Sequence, residues 1–152
     1  LRMSIGRKST VNQPLVLDAW AIMALLQAEE PAAARVRAIL ESPEPGDDDR
    51  RPCMSVMNLG EVYYRVGRTR GLVAAESTLG LLHDLPIRLM PATDARVFAA
   101  ARLKSAHALS YADAFAAALT AEIGGTLLTG DPELIAAAPE AGFAIELLTR
   151  MR

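Results

Sequence analysis

Short apolar runs alternate with longer helix-like segments along most of this chain. The first run, Pro14 to Leu17, is apolar throughout and stops abruptly at Asp18. Buried parallel strands have this composition, and they end in this way at the functional edge of a sheet. The segments between the runs repeat their apolar residues at helical spacing. The alternation predicts an α/β fold built around a mostly parallel sheet.

Capping residues and glycines set the expected boundaries of the elements. The predicted strands are Pro14 to Leu17, Pro52 to Met54, Ile87 to Met90, Thr126 to Thr129 and, at an edge, Phe143 to Leu148. The predicted helices are Ala19 to Glu29, Ala32 to Leu40, Ser55 to about Arg68, Leu72 to Leu82, Thr93 to about Ala106, Ser110 to Ile123 and a short one opened by Asp131 and Pro132.

Length and composition fit one domain. The chain has 152 residues, of which 51% are hydrophobic, enough for one substantial core. We expect residues 1 to 12 to form a flexible arm and residues 13 to 152 to form the domain. No apolar run reaches the length of a membrane span, and a single cysteine, Cys53, fits a reducing cytoplasm. With a formal charge of -2, any polyanion binding must depend on local basic patches.

Four carboxylates fall where the elements meet one edge of the sheet. Asp18 ends the first strand, Asp131 follows the fourth, and Glu61 and Asp113 lie in helices that begin near that edge. Ligands bind outside the carboxyl ends of parallel strands. Clustered carboxylates repel one another unless a hard cation lies between them, and oxygen ligands suit Mg²⁺ or Mn²⁺. The pattern predicts a divalent metal site.

Each acid also has a purely structural explanation. Asp18 and Asp131 are well placed to cap helices, the latter directly before a proline. Asp113 stands three residues after Ser110, in a capping-box arrangement, and Glu61 precedes Arg65 by one helical turn, where an ion pair is favourable. The metal hypothesis depends on the set, because capping alone would accept Ser, Thr or Asn equally well.

Four segments of the chain together resemble the PIN domain, and in particular the VapC-type toxins of toxin-antitoxin pairs. They are Leu15 to Leu26 (LVLDAWAIMALL), Asn58 to Val62 (NLGEV), Leu109 to Ala118 (LSYADAFAAA) and Leu127 to Glu133 (LLTGDPE). The resemblance implies a three-layer α/β/α sandwich with a sheet of four to five strands. It also implies a Mg²⁺- or Mn²⁺-dependent endoribonuclease that leaves 3′-hydroxyl and 5′-phosphate ends.

The site residues implied by the resemblance are Asp18, Glu61, Asp113 and Asp131, with Thr129 beside the last acid to orient a carboxylate or water. One position departs from the pattern. The family often has Ser, Thr or Asn within two residues of the first aspartate, whereas Ala19 and Trp20 follow Asp18 here. Phosphate contacts are expected from basic residues on the helices, namely Arg65, Arg68, Arg70, Arg102 and Lys104.

The resemblance further implies an RNA substrate, a small antitoxin that blocks the site, and a homodimer. An antitoxin helix needs an apolar surface, and we expect it on the first helix pair, where Trp20, Met23 and Leu26 cannot all be buried.

Three other functions are open at this point. A haloacid-dehalogenase-type phosphatase needs a second aspartate where Trp20 stands, and a nucleotide-binding domain needs a glycine-rich loop that does not follow the first strand. The third alternative is a PIN-like module that binds RNA or protein without cutting, which Trp20 near the first acid favours and retention of all the acids opposes.

Overall fold

The computed structural model describes residues 13–42 and 50–151. The strands are β1 (Leu15–Leu17), β2 (Cys53–Ser55), β3 (Arg88–Met90), β4 (Thr126–Thr129) and β5 (Ala144–Leu147). The helices are α1 (Ala19–Leu26), α2 (Ala32–Glu41), α3 (Val56–Arg70), α4 (Leu72–Asp84), α5 (Asp94–Ala106), α6 (Tyr111–Ile123) and α7 (Pro132–Ala141). The predicted arm and most of the acidic loop before β2 lie outside the described residues.

The strands form one five-stranded sheet in the order β3-β2-β1-β4-β5, and all the neighbouring pairs are parallel. β1 is therefore the central strand. Leu17 pairs with Leu128 in the register of β1 and β4, so the residues that follow them, Asp18 and Thr129, lie side by side at the carboxyl ends of the two strands. The carboxyl ends of β1 and β4 thus lie at one edge of the sheet, as the sequence predicts.

Successive strand residues point to opposite faces of the sheet, and this alternation divides the core in two. Leu17 and Leu128 are buried in a cluster with side chains from α1 to α4. Val16 and Leu127 are buried in a second cluster with side chains from α5, α6 and α7. Helices therefore cover both faces, which confirms the three-layer α/β/α sandwich.

Most predicted boundaries agree with the structure within two residues, and the differences have local causes. α1 ends at Leu26 instead of Glu29, because Ala28 takes a positive φ of 52° and the Gln27 N–H bonds back to the helix. α3 continues to Arg70 and stops only where Gly71 takes a φ of 89°, a conformation that glycine adopts at low cost. Within the described residues, no helix is long and apolar enough to cross a membrane.

Candidate acidic metal site

Asp18 lies directly after the central strand, with 1% of its surface exposed. Its Oδ1 accepts the Ala21 N–H at 2.8 Å and so caps α1, as the structural explanation expects. Its Oδ2 is also buried, yet it has no hydrogen-bond partner among the described residues. One carboxylate therefore divides its roles: one oxygen caps a helix, and the other is a buried acceptor that lacks a partner.

Asp131 is also a cap. Its Oδ1 accepts the backbone N–H groups of Glu133 at 2.8 Å and Leu134 at 3.3 Å, at the start of α7. Its other oxygen takes no part in the cap. Asp113 lies in the first turn of α6 with 8% exposure, and its N–H is capped by the Ser110 hydroxyl at 3.1 Å. Helix capping therefore leaves both acids available at the sheet edge. The cap of α6 is Ser110 and not Asp113, and the cap of α7 uses only one oxygen of Asp131.

In the described part of the chain, the tightest group of acids is Asp113, Asp131 and Glu133: one carboxylate oxygen from each lies within 4.8 Å of the others. Glu133 is absent from the set that the sequence predicts, although it belongs to the last of the four motifs. The available signal was its position two residues after Asp131, in the acidic first turn of α7. Its approach to Asp113 depends on how α6 and α7 meet, which local sequence does not reveal.

Asp18 and Glu61 lie outside this tightest group but within electrostatic reach of it. Burial is the main cause of the raised pKa of both groups; the charges of Asp113 and Asp131 add to it at Asp18, and the charge of Asp131 adds to it at Glu61. Glu61 is half-buried on α3, one turn after Asn58. The Asn58 side chain is fully buried and donates from Nδ2 to the Ala112 carbonyl at 3.1 Å, which ties the start of α3 to the start of α6.

Thr129 lies between the two strand-end acids. It is fully buried, and its Oγ1 accepts the N–H of Asp131 at 3.0 Å. The same hydroxyl lies close enough to Asp18 to lower the pKa of that carboxyl group. Thr129 therefore contacts the turn that carries Asp131.

Burial and mutual repulsion raise the pKa of three of these acids, Asp18, Glu61 and Asp113. Burial, opposed by the Thr129 hydroxyl and the Ala21 N–H, raises the pKa of Asp18 to about 7. Burial and the charge of Asp131 raise the pKa of Asp113 to about 6. Burial also raises the pKa of Glu61, against the opposing charge of Arg65. Such a cluster favours a bound cation, which would supply the missing positive charge.

The donor set fits a hard divalent ion. Among residues 13–42 and 50–151 it offers carboxylate oxygens and no His or Cys ligand, and the unpartnered Oδ2 of Asp18 is an acceptor that a cation would satisfy. Cys53 is buried in β2 and serves as a small apolar core residue.

The expected basic residues are distributed unevenly. Arg65 and Arg68 lie on α3, one and two turns beyond Glu61, and both are exposed. Lys104 instead donates to the Leu109 carbonyl at 2.8 Å, at the end of α5, and so stabilises the α5–α6 turn. A basic patch next to the site therefore belongs to α3.

The family model of the PIN domain matches residues 15–139. The match covers β1 to α7 and includes every acid described above. The chain belongs to the PIN domain family.

Solved structures with the same fold include toxins and toxin-antitoxin complexes. VapC20 of Mycobacterium tuberculosis, a sarcin-ricin-loop-cleaving toxin, is similar with a TM-score of 0.66 at 20% identity, over 86% of this chain and 96% of that one. VapBC2 of Rickettsia felis, solved with a bound DNA fragment from its promoter, has a TM-score of 0.65 at 14% sequence identity, over 89% of this chain and 98% of that one. FitAcB of Neisseria gonorrhoeae has a TM-score of 0.63 at 19% sequence identity, over 86% of this chain and 95% of that one. No curated protein matches the sequence.

Proposed function

We propose that the chain is a divalent-metal-dependent endoribonuclease, the toxin of a toxin-antitoxin pair. Its metal site consists of Asp18, Glu61, Asp113 and Asp131, to which the geometry adds Glu133. Membership of the PIN family and the similarity to toxins such as VapC20 support the class of activity.

The single observation that carries the proposal is the buried, unpartnered Oδ2 of Asp18 beside the cluster of Asp113, Asp131 and Glu133. A buried acceptor without a partner costs about 1–3 kcal/mol, and more when it is charged. A fold has no structural reason to keep this arrangement, since Asn or Ser would cap α1 equally well. A cation at the sheet edge would offset that cost and would relieve the repulsion among the other acids.

The chemistry needs no nucleophile from the protein. A divalent ion held by these carboxylates would neutralise charge on the scissile phosphate and would make a water acidic enough to attack near neutral pH. Asp18, Glu61, Asp113 and Asp131 would hold that ion, directly or through water. Thr129 fixes the turn that carries Asp131, because its hydroxyl accepts the Asp131 N–H.

The exposed face of α3 is the surface we assign to the RNA strand. Residues three, four and seven positions after Glu61 share its side of the helix, and these are Tyr64, Arg65 and Arg68. The Arg68 guanidinium lies over the Tyr64 ring, 5.1 Å from its centroid. An aromatic ring with adjacent positive charge suits stacking of a base and contact with phosphates, which is how single strands are bound without sequence preference.

We assign the antitoxin to an apolar groove of about 420 Å³ between the first helix pair and the end of α4. The groove is lined by Leu25, Leu26, Arg37, Leu40, Glu41, Leu81, Leu85 and Pro86. An amphipathic helix fills such a groove with apolar side chains one turn apart. Of the three residues expected to receive it, only Leu26 lines the groove, since Met23 is buried in the core and Trp20 packs elsewhere.

The proposed homodimer requires a different surface. Leu72 and Val73, at the start of α4, expose 70% and 84% of their surface, which is unusual for large apolar side chains and is compatible with self-association. The molar mass in solution, measured by light scattering, tests this assignment: a dimer that Val73→Glu dissociates supports it, and a monomeric wild type contradicts it.

The decisive experiment measures Mn²⁺ binding and RNA cleavage in the same preparations. We expect the wild type to bind Mn²⁺ and to cut single-stranded and structured RNA, and Asp18→Asn and Asp113→Asn to lose both properties. Both variants keep a side chain of the same shape, and Asn still caps α1. Asp94→Asn is the matched control, because Asp94 is an exposed acid in the first turn of α5, outside the cluster.

The outcomes separate the nuclease from the binding-only alternative. Cleavage that requires the metal and disappears in both site variants, but not in Asp94→Asn, supports the proposal. Tight RNA binding without cleavage, in the presence of bound Mn²⁺, favours the binding module. Cleavage that survives Asp18→Asn or excess EDTA contradicts the metal site and points to a contaminating nuclease.

A further inference from the structure

Trp20 is the only tryptophan of the chain and lies in the first turn of α1, two residues after Asp18. It is half-buried and packs against the core cluster of α1 to α4. The side chain does not simply fill that core, because the six-membered part of its indole extends across the sheet edge to Gly130. Gly130 is the residue between Thr129 and Asp131.

The contact between Trp20 and Gly130 leaves no room for a side chain at position 130. A Cβ atom there would lie 2.3 Å from Cζ2, 2.5 Å from Cη2 and 2.6 Å from Cε2 of the indole. Gly130 is not among the glycines with a positive φ, so the backbone conformation does not demand glycine. The requirement for glycine at position 130 is therefore steric, and Trp20 creates it.

The turn from β4 to α7 is thus held on two sides. On one side the Thr129 hydroxyl accepts the Asp131 N–H at 3.0 Å. On the other side the Trp20 ring lies against Gly130. The Asp131 carboxylate, which caps α7 through Oδ1, follows directly from this turn.

Trp20 is itself held from outside by the residues after β5. The Arg150 guanidinium lies 5.7 Å from the centre of the Trp20 ring and pairs with Glu29 at 3.1 Å. Backbone hydrogen bonds from Ala32 N to Thr149 O, at 3.0 Å, and from Met151 N to Glu30 O, at 2.8 Å, fix this segment to the turn after α1. The indole therefore lies between the segment that bears Arg150 and the turn that bears Asp131.

We propose that Trp20 is a positioning residue of the acidic site: it fixes the Thr129–Asp131 turn through Gly130 and so sets the orientation of the Asp131 carboxylate. The proposal rests on the proposed function, since the orientation matters for metal binding. It also explains how the site does without the small polar residue that the family often has near the first acid. Here the support is a rigid apolar contact instead of a hydrogen bond.

The test combines Trp20→Phe, Trp20→Ala, Gly130→Ala and the double variant Trp20→Ala/Gly130→Ala in the full chain. Phe keeps an apolar ring on α1 but is too short to reach Gly130. We expect all three single variants to weaken Mn²⁺ binding, measured by electron paramagnetic resonance of the free ion, by about 10-fold or more, the range found for residues that support metal ligands. In the double variant the second substitution should add little, because the clash is gone.

A second readout needs no metal. In the metal-free protein we expect the Glu133 and Leu134 amides, which the Asp131 carboxylate caps, to exchange with solvent faster in Trp20→Phe than in the wild type. Leu82→Ala is the control for general destabilisation, because Leu82 is buried in the same cluster but far along α4. It should lower the melting temperature without changing Mn²⁺ affinity.

Wild-type Mn²⁺ affinity and wild-type amide exchange in both Trp20→Phe and Gly130→Ala would overturn the proposal. So would a strictly additive effect of the two substitutions in the double variant. If the wild type binds no Mn²⁺, the proposed function fails, and the amide exchange of the metal-free protein still decides whether Trp20 holds the Asp131 turn.

Discussion

The Thr129 hydroxyl lies between the two strand-end aspartates: it accepts the Asp131 N–H at 3.0 Å and lowers the pKa of the Asp18 carboxyl group. The pairing of Leu17 with Leu128 produces this arrangement, because it brings the ends of β1 and β4 side by side. One side chain therefore influences both acids.

Replacing Thr129 with valine should shift metal binding to higher pH. Valine has nearly the same shape but removes the group that lowers the pKa of Asp18, so protons compete with the metal over a wider range. We expect the midpoint of Mn²⁺ binding against pH to rise and the affinity at pH 7 to fall about 10-fold or more. Thr126→Val, at the opposite end of β4, is the matched control and should leave the midpoint unchanged. An unchanged midpoint in Thr129→Val would contradict the proposed effect of the Thr129 hydroxyl on the pKa of Asp18.

The metal-free protein should lose stability as the pH rises. The pKa of Asp18 is about 7 in the folded state against 3.8 for an ordinary aspartate, and that of Asp113 is about 6. The folded state therefore holds protons that the unfolded state releases, and stability falls between about pH 4 and pH 7. Asp18→Asn removes the larger contribution. We expect it to raise the melting temperature at pH 8 by roughly 5 °C and to change it little at pH 4.

Calorimetry of both proteins across this range, with EDTA present, measures the difference. Added Mg²⁺ should stabilise the wild type most at pH 8, where the acids are charged, and Asp18→Asn much less. If the difference in melting temperature between the two proteins shrinks as the pH rises, the surroundings of Asp18 do not raise its pKa.

Substitutions of Asp131 should separate its two roles. Asn keeps an oxygen that can cap α7, whereas Ala removes the cap at a cost of about 1 kcal/mol. We expect both variants to lose metal binding. In urea unfolding of the metal-free protein, we expect Asp131→Ala to be less stable than Asp131→Asn. Equal stability of the two variants would show that the hydrogen bonds to Glu133 and Leu134 contribute nothing.

The hydrogen bond from Asn58 to the Ala112 carbonyl should matter for the site as well as for stability. It joins the helix of Glu61 to that of Asp113, so Asn58→Ala should weaken Mn²⁺ binding in addition to costing about 1 kcal/mol of stability. Thr120→Ala is the control, because the Thr120 hydroxyl is equally buried but bonds only to Ala116 of its own helix. Titration and unfolding of both variants distinguish the two effects. Equal Mn²⁺ affinity in the two would restrict Asn58 to a packing role.

Arg65 and Arg68 should contribute electrostatically to RNA binding. For a single strand, each lost phosphate contact lowers the slope of log affinity against log salt by about 0.7. We expect Arg65→Ala/Arg68→Ala to lower the slope by roughly 1.4 and to leave Mn²⁺ affinity intact. Arg35→Ala, which removes a cation paired with Glu146, is the control. An unchanged slope in the double variant would remove α3 from the RNA-binding surface.

Local sequence signals explain how much of this structure was predictable. Ser110 and Thr93 mark helix starts by a mechanism that acts within four residues, and both caps are observed. Asp18 and Asp131 could be assigned to one edge because parallel strands end together. Glu133 and the unpartnered oxygen of Asp18 could not be predicted in this way, because they depend on how distant elements pack. The contact of Trp20 with Gly130 joins residues 110 positions apart and leaves no periodic signal in either segment.

The Trp20–Gly130 contact has a consequence for how such a sequence can diverge. Any side chain at position 130 collides with the indole, so the two positions cannot change independently. A lineage in which Gly130 is replaced by a larger residue must first replace Trp20 with a smaller side chain. If position 130 changes first, the new side chain and the indole occupy the same space in the intermediate sequence. Among descendants of one ancestor, the two sites should therefore be inherited as compatible pairs.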